Sequence, residues 1–137
     1  MSNNENEVKN SLFSLGAEND AYAKYFMGTS YLNGLVAPDE NIDVAVANVS
    51  FEPGCRNDWH IHHDGYQILV VTAGQGWYQE AGKKAQLLNP GDVVVIHEGV
   101  KHWHGATKDS WFAHLAITKG TSEWLEKVTA EQYSDLD

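Results

Sequence analysis

Cysteine is nearly absent from this chain of 137 residues: Cys55 is alone, which excludes an internal disulfide. It lies in the turn before a histidine-bearing strand, where a small, partly buried side chain is a better reading than a functional thiol. Positive charge is also scarce, with nine Lys and Arg against nineteen Asp and Glu and a formal net charge of −10. Nucleic acid demands clustered Lys and Arg, and an anionic membrane surface makes the same demand, so neither partner is expected. No basic segment followed by an apolar one opens the chain, so no secretory signal is expected. No apolar run approaches the roughly 20 residues that span a bilayer. The cytoplasm is the expected location.

What is present points to one folded unit. A hydrophobic fraction of 42 % with five Trp and six Tyr supports a real core, and the length suits one domain and not two. Residues 1–20 are read as a mostly flexible tail, since Met1 to Lys9 is polar and acidic with almost nothing to bury. Residues 21–137 are read as a single domain. Ala45, Ala47, Val49 and Phe51 alternate along one face of a strand. Gln67 to Ala73 and Val93 to His97 read as buried strands, with further strands at Trp77–Glu80, Lys84–Leu88, His102–Gly105 and Trp111–Thr118. Turns at Glu52-Pro53-Gly54, Ala81-Gly82-Lys83 and Asn89-Pro90-Gly91-Asp92 separate them. Near the C-terminus, Thr121 with Glu123, Trp124, Leu125 and Val128 has the pattern of a capped helix, and Thr129-x-x-Gln132 can open another turn. The class is all-β, a barrel with a short C-terminal helix.

The chemistry concentrates in Gly54-x5-His60-x-His62-x4-Gln67-x6-Gly74 and in Gly91-x5-His97-x-Gly99-x2-His102-Trp103-His104-Gly105. Residues i and i+2 of a strand share a face roughly 6.5–7 Å apart, so His60 and His62 can converge on one ion. His102 supplies a third imidazole and Gln67 an amide oxygen, leaving one or two positions open. His63 must point to the other face. His104 shares the face of His102, and His114 stands in the apolar stretch Phe112-Ala113-His114-Leu115-Ala116. A histidine inside an apolar barrel is hydrogen-bonded or functional. Both titrate near neutrality and could move a proton, or could serve as a ligand-orienting partner and a satisfied core residue. His97 is placed at the barrel rim. Ala47, Val49 and Thr118 are candidate walls of a small cavity, and Trp59, Trp77, Trp103 and Trp111 are assigned to the core or a subunit contact.

These two segments resemble the paired motifs of the cupin family, G-x5-H-x-H-x3,4-E-x6-G and G-x5-P-x-G-x2-H-x3-N. Gln67 stands where the family usually has Glu, His97 where it has Pro, and Ala106 where it has Asn. The resemblance implies a double-stranded β-helix, or jelly-roll, barrel. Phe26-x-Gly28-Thr29, Val49-x-Phe51-Glu52-Pro53-Gly54, His102-Trp103-His104-Gly105-Ala106 and Trp124-x-Glu126-x-Val128-Thr129 are similar to a bacterial subgroup of single-domain cupins. That subgroup includes manganese-dependent hydroxynitrile lyases and cupins associated with carboxymuconolactone decarboxylase-like proteins. It implies a metal set of His60, His62, Gln67 and His102 with catalytic residues His104 and His114. Tyr66 adds one residue between His62 and Gln67 relative to those lyases.

The expected function is therefore divalent-metal chemistry on a small oxygenated organic molecule, by Lewis-acid and histidine acid–base action. C–C lyase or decarboxylation-like chemistry leads, a dioxygenase is the alternative within enzymes, and a small-ligand-binding module is the alternative outside them. The donor set accepts Mn, Fe, Co, Ni or Zn, and the resemblance puts Mn first. A neutral Gln67 leaves the ion its full charge, which favours Lewis-acid over oxidative chemistry. Exposed strand edges on a small barrel imply a homo-oligomer, a dimer or tetramer.

Overall fold

Short alternating runs broken by glycine turns fold into strands in the computed structural model, which describes residues 3–136. The strands are β1 (Ala17–Glu18), β2 (Phe26–Met27), β3 (Ser30–Val36), β4 (Ala45–Phe51), β5 (Arg56–Asn57), β6 (His60–Gly74), β7 (Gly76–Glu80), β8 (Gln86–Leu88), β9 (Val93–Ile96), β10 (His102–Ala106) and β11 (Phe112–Trp124). Two short helices, α1 (Glu5–Lys9) and α2 (Ala130–Ser134), flank them. The main path is β1-β3-β4-β11-β6-β10-β5-β2, with β7 joining β10 to β8 and β9 lying on β6. The strands wrap into a barrel whose interior at one end is packed by Phe51, Leu69, Val71, Tyr78, Ile96 and Phe112. Among the described residues no helix is long and apolar enough to cross a membrane.

The long β6–β11 ladder organises the barrel. On β6 the buried positions are His60 and His62, then Gln67, Leu69, Val71 and Ala73, with Gly74 at the strand end. Strict alternation would send residue 67 to the face opposite residue 62. An extra residue in β6 reverses the phase: Tyr66 pairs with Lys119 but His63 pairs with Thr121, so three steps on one strand oppose two on the other. Asp64 takes a left-handed φ of 59° at this bulge, and its amide donates to the Glu98 carboxylate at 2.7 Å. The facing backbone leaves no room for side chains. A Cβ on Gly65 would lie 2.1 Å from the Lys119 carbonyl oxygen, and one on Gly120 2.2 Å from that of His63.

On the other flank of β11 the predicted alternation of β4 is observed in cross-strand pairs: Phe51 with Phe112, Val49 with His114, Ala47 with Ala116 and Ala45 with Thr118. The small residues Ala45, Ala47, Ala116 and Thr118 leave a hollow at the end of the barrel away from Phe51 and Phe112.

Three local expectations change. Within residues 1–20, where composition gave almost nothing to bury, α1 inserts Val8 against Ala73, Trp111 and Ala113. The Trp111 amide donates to the Asn3 carbonyl, the Gly74 amide donates to the Glu7 carboxylate, and β1 pairs with β3. The first two residues of that expected tail lie outside the described residues. Thr121–Trp124 is strand and not helix, because it pairs with His60–His63 of β6; tertiary pairing overrides its helix-like spacing. The helix forms one step later, where Thr129 and Gln132 make a reciprocal capping box. Val93–Ile96 is buried on one face only: Val94 and Ile96 point inward, while Val93 and Val95, 59 % and 51 % exposed, alternate to the outer face of the barrel wall.

The bulge gives a stability test. Gly120→Ala combines a left-handed φ of 92° with a backbone collision and should cost about 2–5 kcal/mol. Gly82→Ala has a similar φ of 80° but open space and should cost only about 1–2 kcal/mol. Urea unfolding of both variants measures the difference; equal losses would show that the bulge relaxes freely.

Candidate metal centre

Two strands deliver the histidines. His60 and His62 project from β6 and His102 from β10, and the Cα register pairs His60 directly with His102. All three are buried, and one ligand nitrogen from each lies within 4.8 Å of the others. Three donors about 2.1 Å from one ion stand about 3.0–3.6 Å from one another, so the three rings draw together to close this set.

Donor counting fixes two of the tautomers. His60 Nδ1 lies 2.7 Å from the Asp58 carbonyl, and His102 Nδ1 lies 3.0 Å from that of Val100. A carbonyl only accepts, so both rings carry their proton on Nδ1 and keep the Nε2 lone pair free. His102 Nε2 is buried with no hydrogen-bond partner. An orphaned lone pair in that position is the mark of a ligand nitrogen whose other side is held by the protein. His62 is held at Nδ1 by the Ser122 hydroxyl at 3.2 Å, and its Nε2 stands 3.1 Å from Gln67 Oε1. That is the span of two donors at right angles around one ion, roughly 3 Å. Gln67 is oriented by donating from Nε2 to Thr118 Oγ1 at 2.9 Å, which turns its oxygen toward His62. The residues present fit a divalent ion.

Behind this set lies a second imidazole pair. His104 Nδ1 and His114 Nε2 are 3.2 Å apart, and the His104 ring lies 5.6 Å from that of His60 and 6.0 Å from that of His102. Phe51 and Phe112 flank His114. Burial pushes all five imidazoles toward the neutral form. His60 and His104 fall well below the ordinary value, helped by neighbouring histidines. Burial also lowers His62, and it lowers His102 and His114 to about 4. Neutral imidazole is the form that binds an ion or accepts a proton.

A cavity of about 770 Å³ opens onto this centre. His60, His62, Gln67, His104 and His114 reach it, and Ala47, Val49 and Thr118 form part of its wall. Phe26 and Leu32 extend the apolar side. His102 is fully buried. His97 is exposed on the far side of β9, and the half-exposed His63 pairs with Glu123 at 2.6 Å. Cys55 is buried, and burial pushes its thiol up to about 12, which makes it inert. Trp59, Trp77 and Trp103 pack with Val128, while Trp111 packs with Val8.

Of the wall residues that sequence reasoning missed, three touch the histidines. Trp124 stacks on His60 at 4.5 Å and on Tyr25 at 4.5 Å; extending the β11 alternation past Thr118 would have found it. Ser122 lies on the same face and was hidden by the same helix reading. Asn57, on a strand of two residues, carries no periodic signal.

A family model described as "Cupin domain" matches residues 47–118. The (R)-mandelonitrile lyase of Granulicella tundricola is 47 % identical over 116 residues, covering 81 % of this chain and 87 % of that protein. The crystal structure of a cupin-like protein from Thermotoga maritima superposes with a TM-score of 0.83 at 43 % identity, over 91 % of this chain and 96 % of its own. A predicted oxalate decarboxylase from the same organism, 20 % identical with a TM-score of 0.64 over 70 % of this chain and 84 % of its own, shares the fold.

The buried neutral histidines make stability pH-dependent. Unfolded imidazoles take up protons near 6.5, whereas His102 and His114 do so only near 4. Between those values the unfolded state binds more protons, so stability present above pH 6.5 is lost as pH falls. The slope is about 1.4 kcal/mol per pH unit for each histidine. Urea midpoints of the chelator-treated chain at pH 7 and pH 5 should show the drop; a flat profile would mean that these rings are solvated or charged when folded.

Proposed function

This chain belongs to the cupin domain family, and from that premise we propose that it is a divalent-metal-dependent lyase that cleaves a C–C bond beside a hydroxyl group, with an aryl cyanohydrin as the model substrate. The observation that supports this most is the convergence of the His60, His62 and His102 set with the His104–His114 pair on one apolar cavity. The likeness to a mandelonitrile lyase over most of both chains supports the same reading.

His60, His62, Gln67 and His102 would hold the ion, and manganese is the metal we propose first. A divalent ion there supplies Lewis-acid polarisation of the substrate oxygen. The chain's own residues do the rest. The wall of Phe26, Leu32 and Val49 receives the aromatic group and excludes water. His104 accepts the hydroxyl proton, and His114 stabilises the imidazolium through the 3.2 Å contact. As the carbonyl forms, the bond to the nitrile carbon breaks and its electron pair leaves with cyanide. His104 then returns the proton, giving aldehyde and hydrogen cyanide. Ala47, Val49 and Thr118 set the room beside the reacting carbon.

Elemental analysis of the untagged chain should find about one transition metal per chain, and His102→Ala should lose it. Benzaldehyde release from mandelonitrile should then fall by about 10²–10⁴-fold in kcat for His104→Ala, with metal content unchanged. A metal-loaded wild type that leaves mandelonitrile and related cyanohydrins intact would sink the lyase reading and leave a ligand-binding cupin.

A further inference from the structure

The long sheet of the barrel is apolar on its outer face as well as its inner one. Register carries one row of side chains across five strands. Val36 of β3 stands opposite Val46 of β4, Val46 opposite Ile117 of β11, Ile117 opposite Ile68 of β6, and Ile68 opposite Val95 of β9. A second row, one strand period away, holds Leu115, Val70 and Val93 and ends at Asn48. The residues between, Ala47, Ala116, Leu69 and Val94, pack inside the barrel, so alternation sends both rows outward. An antiparallel sheet that meets water on one side is polar on that side, and these rows are not. The chain covers only part of this face itself. Val8 of α1 seats against Ala73 and Ala113, and Asn48 Nδ2 donates to the Ser14 carbonyl at 3.3 Å. Beyond that line Val36, Val93 and Val95 are exposed, and Val46, Ile68, Val70, Leu115 and Ile117 are partly so.

We propose that a second copy of this chain packs on this face, sheet against sheet about a two-fold axis. Two sheets stack about 10 Å apart with their strands within about 30° of each other, and rows of β-branched side chains interdigitate across the gap. An isologous contact needs a patch complementary to itself, and uncharged rows in regular register meet that need. Charge agrees: chains of net charge −10 can meet here without setting like charges together. At the edge of the patch Tyr66 stands beside Lys119, whose ammonium is paired with Asp43 at 3.2 Å. No basic cluster rims it, as an anionic lipid surface would require. Size agrees too. Five strands and three rows, the edge included, span about 24 Å by 20 Å, or about 500 Å² in each copy. Two copies then bury about 1,000 Å², where specific interfaces begin. The runs Gln67–Ala73 and Val93–Ile96, whose sequence reads as buried strand, are in the dimer covered on both faces, by the barrel within and by the copy without.

Sedimentation equilibrium of the full-length chain at micromolar concentration tests this. The wild type should show the mass of two chains, or of four if dimers pair further. Val93→Lys combined with Val95→Lys puts charge at the two most exposed positions of the patch, which a folded monomer tolerates. The double variant should halve the mass and raise the dissociation constant at least about 100-fold, with circular dichroism unchanged. If it does not fold, Val93→Thr with Val95→Thr keeps strand-forming side chains and should raise the constant at least about 10-fold. A monomeric or trimeric wild type overturns the proposal. So does a folded Lys variant, or in its place a folded Thr variant, whose mass and dissociation constant match those of the wild type. A monomer that floats with phosphatidylcholine vesicles overturns it as well and assigns the face to a lipid surface.

Discussion

The candidate site exists because one strand changes phase. A β-strand offers alternate faces, and a ligand set drawn from residues 60, 62 and 67 cannot share a face without one extra residue. The bulge at Asp64–Gly65 supplies it, and Gly120 on β11 receives it. Everything inward of that point depends on the correction. It brings Gln67 Oε1 within 3.1 Å of His62 Nε2 and sets Thr118 to hold the amide from across the ladder. The same segment turns His63 outward to Glu123. Two glycines with no room for a side chain are the steric lock on this geometry.

Given that register, elementary donor–acceptor logic does much of the remaining assignment. Carbonyls at Asp58 and Val100 can only accept, so His60 and His102 are forced to keep Nε2 bare. Apolar packing around Phe51 and Phe112 then disfavours protonated imidazole throughout the interior. The cost is borne by stability: buried neutral histidines and an orphaned nitrogen are tolerated because the barrel over-determines their positions. An ion bound there would relieve part of that cost, so folding and loading are thermodynamically coupled.

Much of this was legible in the sequence, for reasons that differ by residue. Alternation from Ala45 to Phe51 reads directly because period two is local, and the His60–His62 pair reads because two residues is one strand period. The placement of Val93 and Val95 outside did not, since four consecutive apolar residues hide which face is buried. Thr121 to Val128 satisfies a helical cap and spacing, yet the backbone partners waiting on β6 outbid it. Val8 is one apolar residue in a polar stretch, and only the exposed pocket between Ala73 and Trp111 gives it value. The phase change itself has a faint trace, the added Tyr66, but its consequence is invisible without the facing strand. Asn57 had no trace, because the backbone amide that holds it in the cavity wall lies 47 residues away.

The stack of Tyr25, Trp124 and His60 carries a consequence of another kind. Of the five tryptophans, Trp124 lines the cavity, and its indole stacks at an angle of 29° on a ring that would offer its nitrogen to the candidate ion. Drawing electron density from that imidazole deepens its appetite for charge from the excited indole. The chain thus sets one indole against a candidate ligand ring, while the other four pack with residues near the two ends of the chain.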